Sequence, residues 1–241
     1  MARIVHTRGI VIRRMNYGES SMILDIFTKS HGLSAFIVSG VRKSRPTISP
    51  VVFTPGYELN LVFYEQDIHR LWRIKEASIG SQLGRTPFDI IRGNTALCMC
   101  EVIKKIIHPY DVHPTLYHLI SSYFLALDRM EKSGNILIHF LVHLSIEIGF
   151  GPRYENLEGP VFFDIKSGSF TRERPAHPMI IDSEESAILQ QILQTPLGDI
   201  PSLSISRIQR QKLTDGLIDY IRYHSHAPQE IKSYELLKKL W

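Results

Sequence analysis

Apolar and polar residues alternate with a period of two through much of the first eighty positions and with a helical period beyond them. The chain therefore predicts a β-rich module followed by a helical one, an α+β fold. Arg8 to Met15, Ser21 to Phe27 and Leu33 to Val38 are short β-rich runs, punctuated by Asn16-Tyr17-Gly18 and His31-Gly32. Residues 57–64 place Tyr57, Leu59, Leu61 and Phe63 on one face and Glu58, Asn60, Val62 and Tyr64 on the other. After a turn at Gln66-Asp67, residues 70–76 set Trp72 and Ile74 opposite Leu71, Arg73 and Lys75. Five strands within about seventy residues suit a small closed barrel better than an open sheet. Gly40 to Pro50 has few apolar residues and carries Arg42, Lys43 and Arg45, so it predicts a solvated loop.

Near Gly84 the pattern changes. Thr86-Pro87-Phe88-Asp89 predicts a helix start, with Thr86 as N-cap, Pro87 at the first helical position and Asp89 completing a capping pair. That helix is expected to run to about Ile107, a second from His113-Pro114 to about Glu131, and a third from Asn135 to Ile148, closed by Gly149. Val161 to Phe170 predicts a β-hairpin turning at Ser167-Gly168. Ser183 is expected to cap a helix to about Gln194, residues 204–225 to form a longer one, and Ser233 to Leu240 a short last turn. Two domains follow: residues 1–82, a barrel, and residues 83–241, mostly helical with the hairpin inserted at about 153–180.

Composition adds the class. With 241 residues, 44% hydrophobic and 22% charged, the chain is an ordinary globular one, long enough for a core without staples. Two cysteines, Cys98 and Cys100, cannot build a disulfide framework or a four-thiolate zinc site, and a reducing cytoplasm is the expected compartment. The N-terminus has no apolar run of signal-peptide length. The greasiest stretch, Ile136 to Phe150, is interrupted by His139, His143 and Glu147. The formal charge of +4 is uneven: residues 1–82 hold eleven Lys and Arg against six Asp and Glu, and the remainder holds seventeen against eighteen. A basic N-terminal module beside a near-neutral remainder predicts a polyanion contact made by one domain.

Catalytic chemistry is hard to find. His139, His143 and Glu147 share a helical face, a spacing at which a metal pair is physically possible. The metalloprotease pattern needs Glu directly after the first His, and Phe140 stands there, so a polar stripe on a packed helix is the better reading. Cys98 and Cys100 point to different faces of one helix. No phosphate-cradling Gly-rich loop, Gly-x-Ser-x-Gly elbow or paired-carboxylate motif is present. The expectation is a protein without catalytic residues, metal or cofactor.

One resemblance spans the chain. Gly9-Ile10-Val11-Ile12, then Tyr17-Gly18-Glu19-Ser20 through Phe27-Thr28-Lys29-Ser30-His31-Gly32, resembles the opening of the RecO family of bacterial recombination mediators. Ser39-Gly40-Val41-Arg42-Lys43-Ser44 is similar to the family's Lys-Gly-Ala-Arg-Arg segment, with Ser39 in place of the usual Lys. Phe53-Thr54-Pro55-Gly56, Ile74-Lys75-Glu76-Ala77, Ile148-Gly149-Phe150-Gly151-Pro152 and Ile231-Lys232-Ser233 continue the likeness in order. Two departures stand out. The four zinc-binding cysteines of many relatives are absent between Arg153 and Pro178, leaving Val161, Phe163 and Phe170 to hold the hairpin. The family's Lys-Ser-Arg reads Lys232-Ser233-Tyr234.

The resemblance implies an oligonucleotide-binding (OB) barrel, binding of single- and double-stranded DNA, strand annealing, and cooperation with RecR and the single-stranded DNA-binding protein SSB to load RecA at the nucleoid. Because the loop serves no core, Arg42, Lys43 and Arg45 are the first candidates for phosphate contact, followed by Arg13, Arg14, Arg70, Arg73 and Lys75. Tyr57, Phe63 and Trp72 fit a core face better than a stacking platform. In the family the helical domain offers a groove for the acidic, Phe-terminated tail of SSB. Phe140 and Leu144 are the candidates for its slot, His139 and His143 for a rim that gains charge as pH falls, with Arg129 and Lys132 nearby in sequence. The competing reading of the helix makes Phe140 and Leu144 ordinary core. Two other functions compete, a generic single-stranded DNA- or RNA-binding OB protein without mediator activity and a metal-dependent hydrolase using His139 and His143.

Overall fold

The computed structural model describes residues 3–67, 70–81, 83–153, 159, 161–226 and 230–241. Two compact units are present, Met1–Leu125 and Ala126–Trp241. The first is built on a barrel of β1 (Arg3–Tyr17), β2 (Ser21–Thr28), β3 (Gly32–Val38), β4 (Glu58–Glu65) and β5 (Trp72–Ser81), closed in the order β1-β2-β3-β5-β4. This is an OB-like barrel.

Closure depends on the length of β1. Its first half pairs with β4, from Arg3 opposite Glu65 to Ile10 opposite Glu58, and its second half pairs with β2 as far as Tyr17 opposite Ser21. The strand thus begins five residues before the expected Arg8, in a polar stretch whose only signal is its pairing to β4. Gly9 sits where the two pairings overlap. A Cβ there would stand 2.6 Å from Ile26 Cγ2 and 2.9 Å from Leu61 Cδ1, so glycine is what lets the sheet fold over itself. A bulge between Val11 and Arg13 then bends the strand and leaves both Arg13 and Arg14 on the outside. The alternating faces of β4 and β5 are as expected: Tyr57, Leu59, Leu61, Phe63, Trp72 and Ile74 are buried. Phe63 and Trp72 stack at 5.2 Å with Phe36 edge-on to Phe63, so these aromatics form the core and present no open platform.

Beyond the barrel, Thr86–Phe88 is a short 3-10 turn and α1 runs Ile90–Ile106. The expected N-cap at Thr86 is corrected. Asp89 has the extended backbone of a cap and accepts from the amides of Ile91 and Arg92, while Thr86 is buried one turn earlier. Helix α1 docks on the barrel: Cys100 lies beside the Val11 carbonyl, and Lys104 pairs with Asp25 at 3.1 Å. That docking is why the compact unit extends past residue 82 to Leu125. Helix α2 (Pro114–Arg129) contains the division, and its Tyr117 hydroxyl donates to Glu58 on β4.

The second unit is organised around α3 (Ile136–Glu147), in which every residue from Ile136 to Val142 is buried. A helix buried all round its first two turns belongs at the centre of a layer, and α3 packs against α4 (Ser183–Gln194), α5 (Arg207–His224) and the 3-10 turn Leu197–Ser202. The expected hairpin is β6 (Phe162–Asp164) and β7 (Ser169–Thr171), with Gly168 at φ 68° in its turn. A two-residue strand β8 (Ile180–Ile181), too short to have a period, joins β6 on its other side. Within the expected 153–180 insertion, residues 154–158 and 160 lie outside the described residues, as does Gln82 at the expected boundary. The unit ends with α6 (Lys232–Leu240), tied to α5 by Lys238 and Tyr234 on Asp215.

Candidate nucleic-acid interface

The loop after β3 is anchored at one apolar residue and one cation. Val41 is buried and Gly40 adopts φ 76°, which turns the chain back towards the β1–β2 turn. There the Arg42 guanidinium donates to the carbonyls of Gly18 and, at 2.6 Å, Glu19, and its amide donates to Ser20. Arg42 is a strut of the loop as well as a cation on its surface. Lys43 and Arg45 are exposed and have neither hydrogen-bond nor ion-pair partners among the described side chains.

Arg14 reaches the same place from β1 and donates to the Pro50 carbonyl at 3.4 Å. Together Arg14, Asn16, Met22, Arg42, Pro50 and Val51 line a shallow depression of ≈ 520 Å³. The remaining cations stand apart. Arg13 faces Asp25 at 3.7 Å, a carboxylate that Lys104 also neutralises. Arg73 and Lys75 are exposed on β5, which is not a neighbour of β1 in the barrel order, and Lys75 pairs with Glu76 at 3.2 Å. Arg70 is exposed just before that strand. The eight barrel candidates thus form two groups, Arg14 with the 42–45 loop, and Arg70, Arg73 and Lys75, with Arg13 largely balanced between them.

The candidate tail groove on α3 is corrected. Phe140 and Leu144 are fully buried, and His139 is 1% exposed, because the helix is surrounded on all sides. The His139 Nε2–H donates to the Thr195 carbonyl at 2.8 Å, and its ring stacks on His143 at 4.2 Å. Burial pulls the His139 pKa down to about 4, so that ring is neutral at mildly acidic pH, and burial lowers that of His143 too, against the Ile192 backbone carbonyl. His139 therefore forms no rim that charges between pH 8 and 6, and the His143 shift works against such a rim. Arg129 and Lys132 are the two of the six that are exposed, and neither has a partner among the described residues.

Among the described residues, no group of three or more His, Cys, Asp or Glu side chains is arranged to hold a metal ion, and no helix is long and apolar enough to cross a membrane. One feature that sequence patterning did not single out adjoins the Arg14 depression. A second hollow of ≈ 580 Å³, also lined by Arg14, contains Pro55, Pro87, Phe88, Ile90 and Leu97. Its only sequence signal is an aromatic placed between a proline and a helix cap, where no core periodicity calls for one.

Comparison with known proteins agrees with this architecture. Residues 1–82 match the family model described as recombination protein O N terminal, and residues 87–233 the one described as recombination protein O C terminal. The chain is 27% identical over 239 residues to the DNA repair protein RecO of Phocaeicola vulgatus, with 98% of each chain covered. It is 28% identical over 240 residues to that of Bacteroides fragilis, again with 98% of each covered. For the Porphyromonas gingivalis protein of the same name the figure is 26% over 246 residues, with 99% of each covered.

Proposed function

The chain belongs to the RecO family, and from that membership together with the unpaired cations of its barrel we propose that it is a non-catalytic recombination mediator in DNA repair. In this reading it binds single- and double-stranded DNA through residues 42–45 and Arg14, anneals complementary strands and, with RecR and SSB, promotes RecA loading on DNA in the cytoplasm. The observation that carries it is the pair Lys43 and Arg45, exposed and unpaired beside the Arg14–Arg42 depression. Cations at this spacing attract phosphates whatever the base sequence, and the affinity they give falls steeply with salt. A strand held by its backbone keeps its base edges available for a complement, so annealing needs neither nucleotide hydrolysis nor a metal. Arg70, Arg73 and Lys75, on and just before β5, supply a second backbone contact. The acidic tail of SSB meets Arg129 and Lys132, the exposed cations of the six tail candidates.

The test is annealing of complementary oligonucleotides precoated with SSB. Wild-type protein should accelerate it, and the Lys43→Ala, Arg45→Ala variant should lose most of the acceleration while keeping its melting temperature. Binding of bare single strands without any annealing of SSB-coated ones would favour the generic OB binder instead.

A further inference from the structure

We propose that Phe88 is a stacking platform for a base of single-stranded nucleic acid, at the apolar end of a groove whose phosphate-binding end is Arg14 and Arg42. The inference rests on the reading that the barrel binds DNA and adds to it a residue and a strand preference. Phe88 is 87% exposed, more than any other large hydrophobic residue described. Its backbone is nonetheless held in place. Leu83 and Thr86 on its N-terminal side are buried, Pro87 fixes the backbone, and the amides of Phe88 and Asp89 both donate to the Arg85 carbonyl at 3.0 and 3.1 Å. A ring carried on a fixed turn leaves only its own side-chain torsions to order on binding.

Arg14 lines both hollows, with Arg42 and Val51 in one and Phe88, Ile90 and Leu97 in the other. Asp89 is the one carboxylate in the apolar hollow, and its charge is already engaged. One oxygen accepts from the amides of Ile91 and Arg92, and the other lies 3.5 Å from the Arg92 guanidinium. What remains open is a cationic stretch followed by an aromatic face. Single-stranded nucleic acid offers the matching order, phosphates for Arg42 and Arg14 and an unstacked base for the ring. In a duplex both faces of each base are already covered, and an apolar helix of a protein partner would leave the two arginines unmatched.

The experiment measures binding of the full chain to three labelled probes of equal length: oligo(dT), oligo(dT) with abasic sites replacing every base, and a duplex. Wild-type protein, Phe88→Ala and Phe88→Trp are compared, all checked for an unchanged melting temperature. Phe88→Ala should weaken oligo(dT) binding about fivefold or more and leave the abasic strand and the duplex within about twofold, and Phe88→Trp should restore it. Trp72 and Trp241 are both buried, so new fluorescence in the Phe88→Trp protein reports position 88, and oligo(dT) should quench it where the abasic strand does not. Equal losses on all three probes, or no loss on oligo(dT), would overturn the platform and leave this face to a protein partner, with DNA binding by the barrel intact. Failure of the wild-type chain to bind any probe would instead overturn the DNA-binding reading itself.

Discussion

Arg42 and its cationic neighbours are close in sequence and unequal in duty. Arg42 bridges two carbonyls of the β1–β2 turn, whereas the Lys43 and Arg45 head groups have no hydrogen-bond or ion-pair partner among the described residues. Replacing Lys43 and Arg45 with alanine should remove two phosphate contacts, flattening the salt dependence of single-strand binding by about 1.4 in log–log slope without loss of stability. Arg42→Ala should lower the melting temperature as well, and Arg42→Lys should rescue it in part, since both carbonyls accept from one guanidinium nitrogen, Nη2, and an ammonium also carries several donors on one nitrogen. Binding titrations across a salt series, run beside thermal melts, separate the two effects. Glycines give a parallel contrast at the level of single residues. Gly18 and Gly32 both have left-handed backbones, at φ 56° and 59°, but a Cβ on Gly18 meets open space while one on Gly32 would lie 2.0 Å from the Asp111 carbonyl oxygen. Gly18→Ala should therefore cost about 1–2 kcal/mol, the left-handed penalty alone. Gly32→Ala should cost clearly more, because backbone must move, and urea unfolding of the two variants decides it.

At the scale of elements, the histidine pair of α3 makes stability depend on pH. An unfolded histidine titrates near 6.5, while buried His139 titrates at about 4. Above pH 6.5 neither state is charged there and the pair contributes nothing to the pH dependence. As pH falls through 6.5 the unfolded chain binds protons that the folded one refuses, so stability drops, by about 2 kcal/mol for His139 at pH 5, and levels off only below 4. A His139→Gln, His143→Gln variant, neutral throughout and still able to donate to Thr195, should lose less stability than wild type between pH 7 and 5 in urea titrations. A wild-type loss no larger than the variant's would mean these rings are protonated in the fold. The same helix shows where sequence reading stopped. Alternation made the buried and exposed faces of β4 and β5 legible, because one face of each meets a core and the other meets solvent, although β5 runs on to Ser81, past the expected residue 76. In α3 three polar residues on one face read as a polar stripe on a packed helix and offered His139 and His143 as a groove rim, yet His139 finds its partner inside, on the Thr195 carbonyl, a contact 56 residues away that no local pattern encodes. The start of α1 failed for a different reason. Thr86 and Asp89 are both good caps three residues apart, and burial of Thr86 against its surroundings leaves the role to Asp89.

At the scale of the molecule, charge and compactness divide the chain together. Residues 1–125 carry fifteen Lys and Arg against nine Asp and Glu, and residues 126–241 carry thirteen against fifteen. The asymmetry visible in the first 82 residues is thus slightly larger when taken over the compact unit, since α1 adds Lys104 and Lys105 as it docks. The strand-to-helix transition marks a change in local period, whereas the structural division comes after the first helix has covered the barrel. Cutting at one place or the other should have different consequences. A fragment ending at Gln82 loses Lys104 from Asp25, which is only 7% exposed, and strips the cover from β1 around Val11 and Ile12, which are 0% and 3% exposed. Leaving a buried carboxylate with Arg13 alone, at 3.7 Å, and uncovering aliphatic side chains at about 25 cal/mol per Å² should make that fragment unfold at lower temperature or aggregate. A fragment ending at Arg129, the close of α2, keeps α1, Phe88, Arg14 and the 42–45 loop. It should melt cooperatively and bind oligo(dT) with the salt slope of the full chain, because the counterions released belong to cations it retains. A markedly shallower slope for the 1–129 fragment would place a substantial share of the phosphate contacts beyond residue 129, and would move the DNA-binding surface out of the barrel unit.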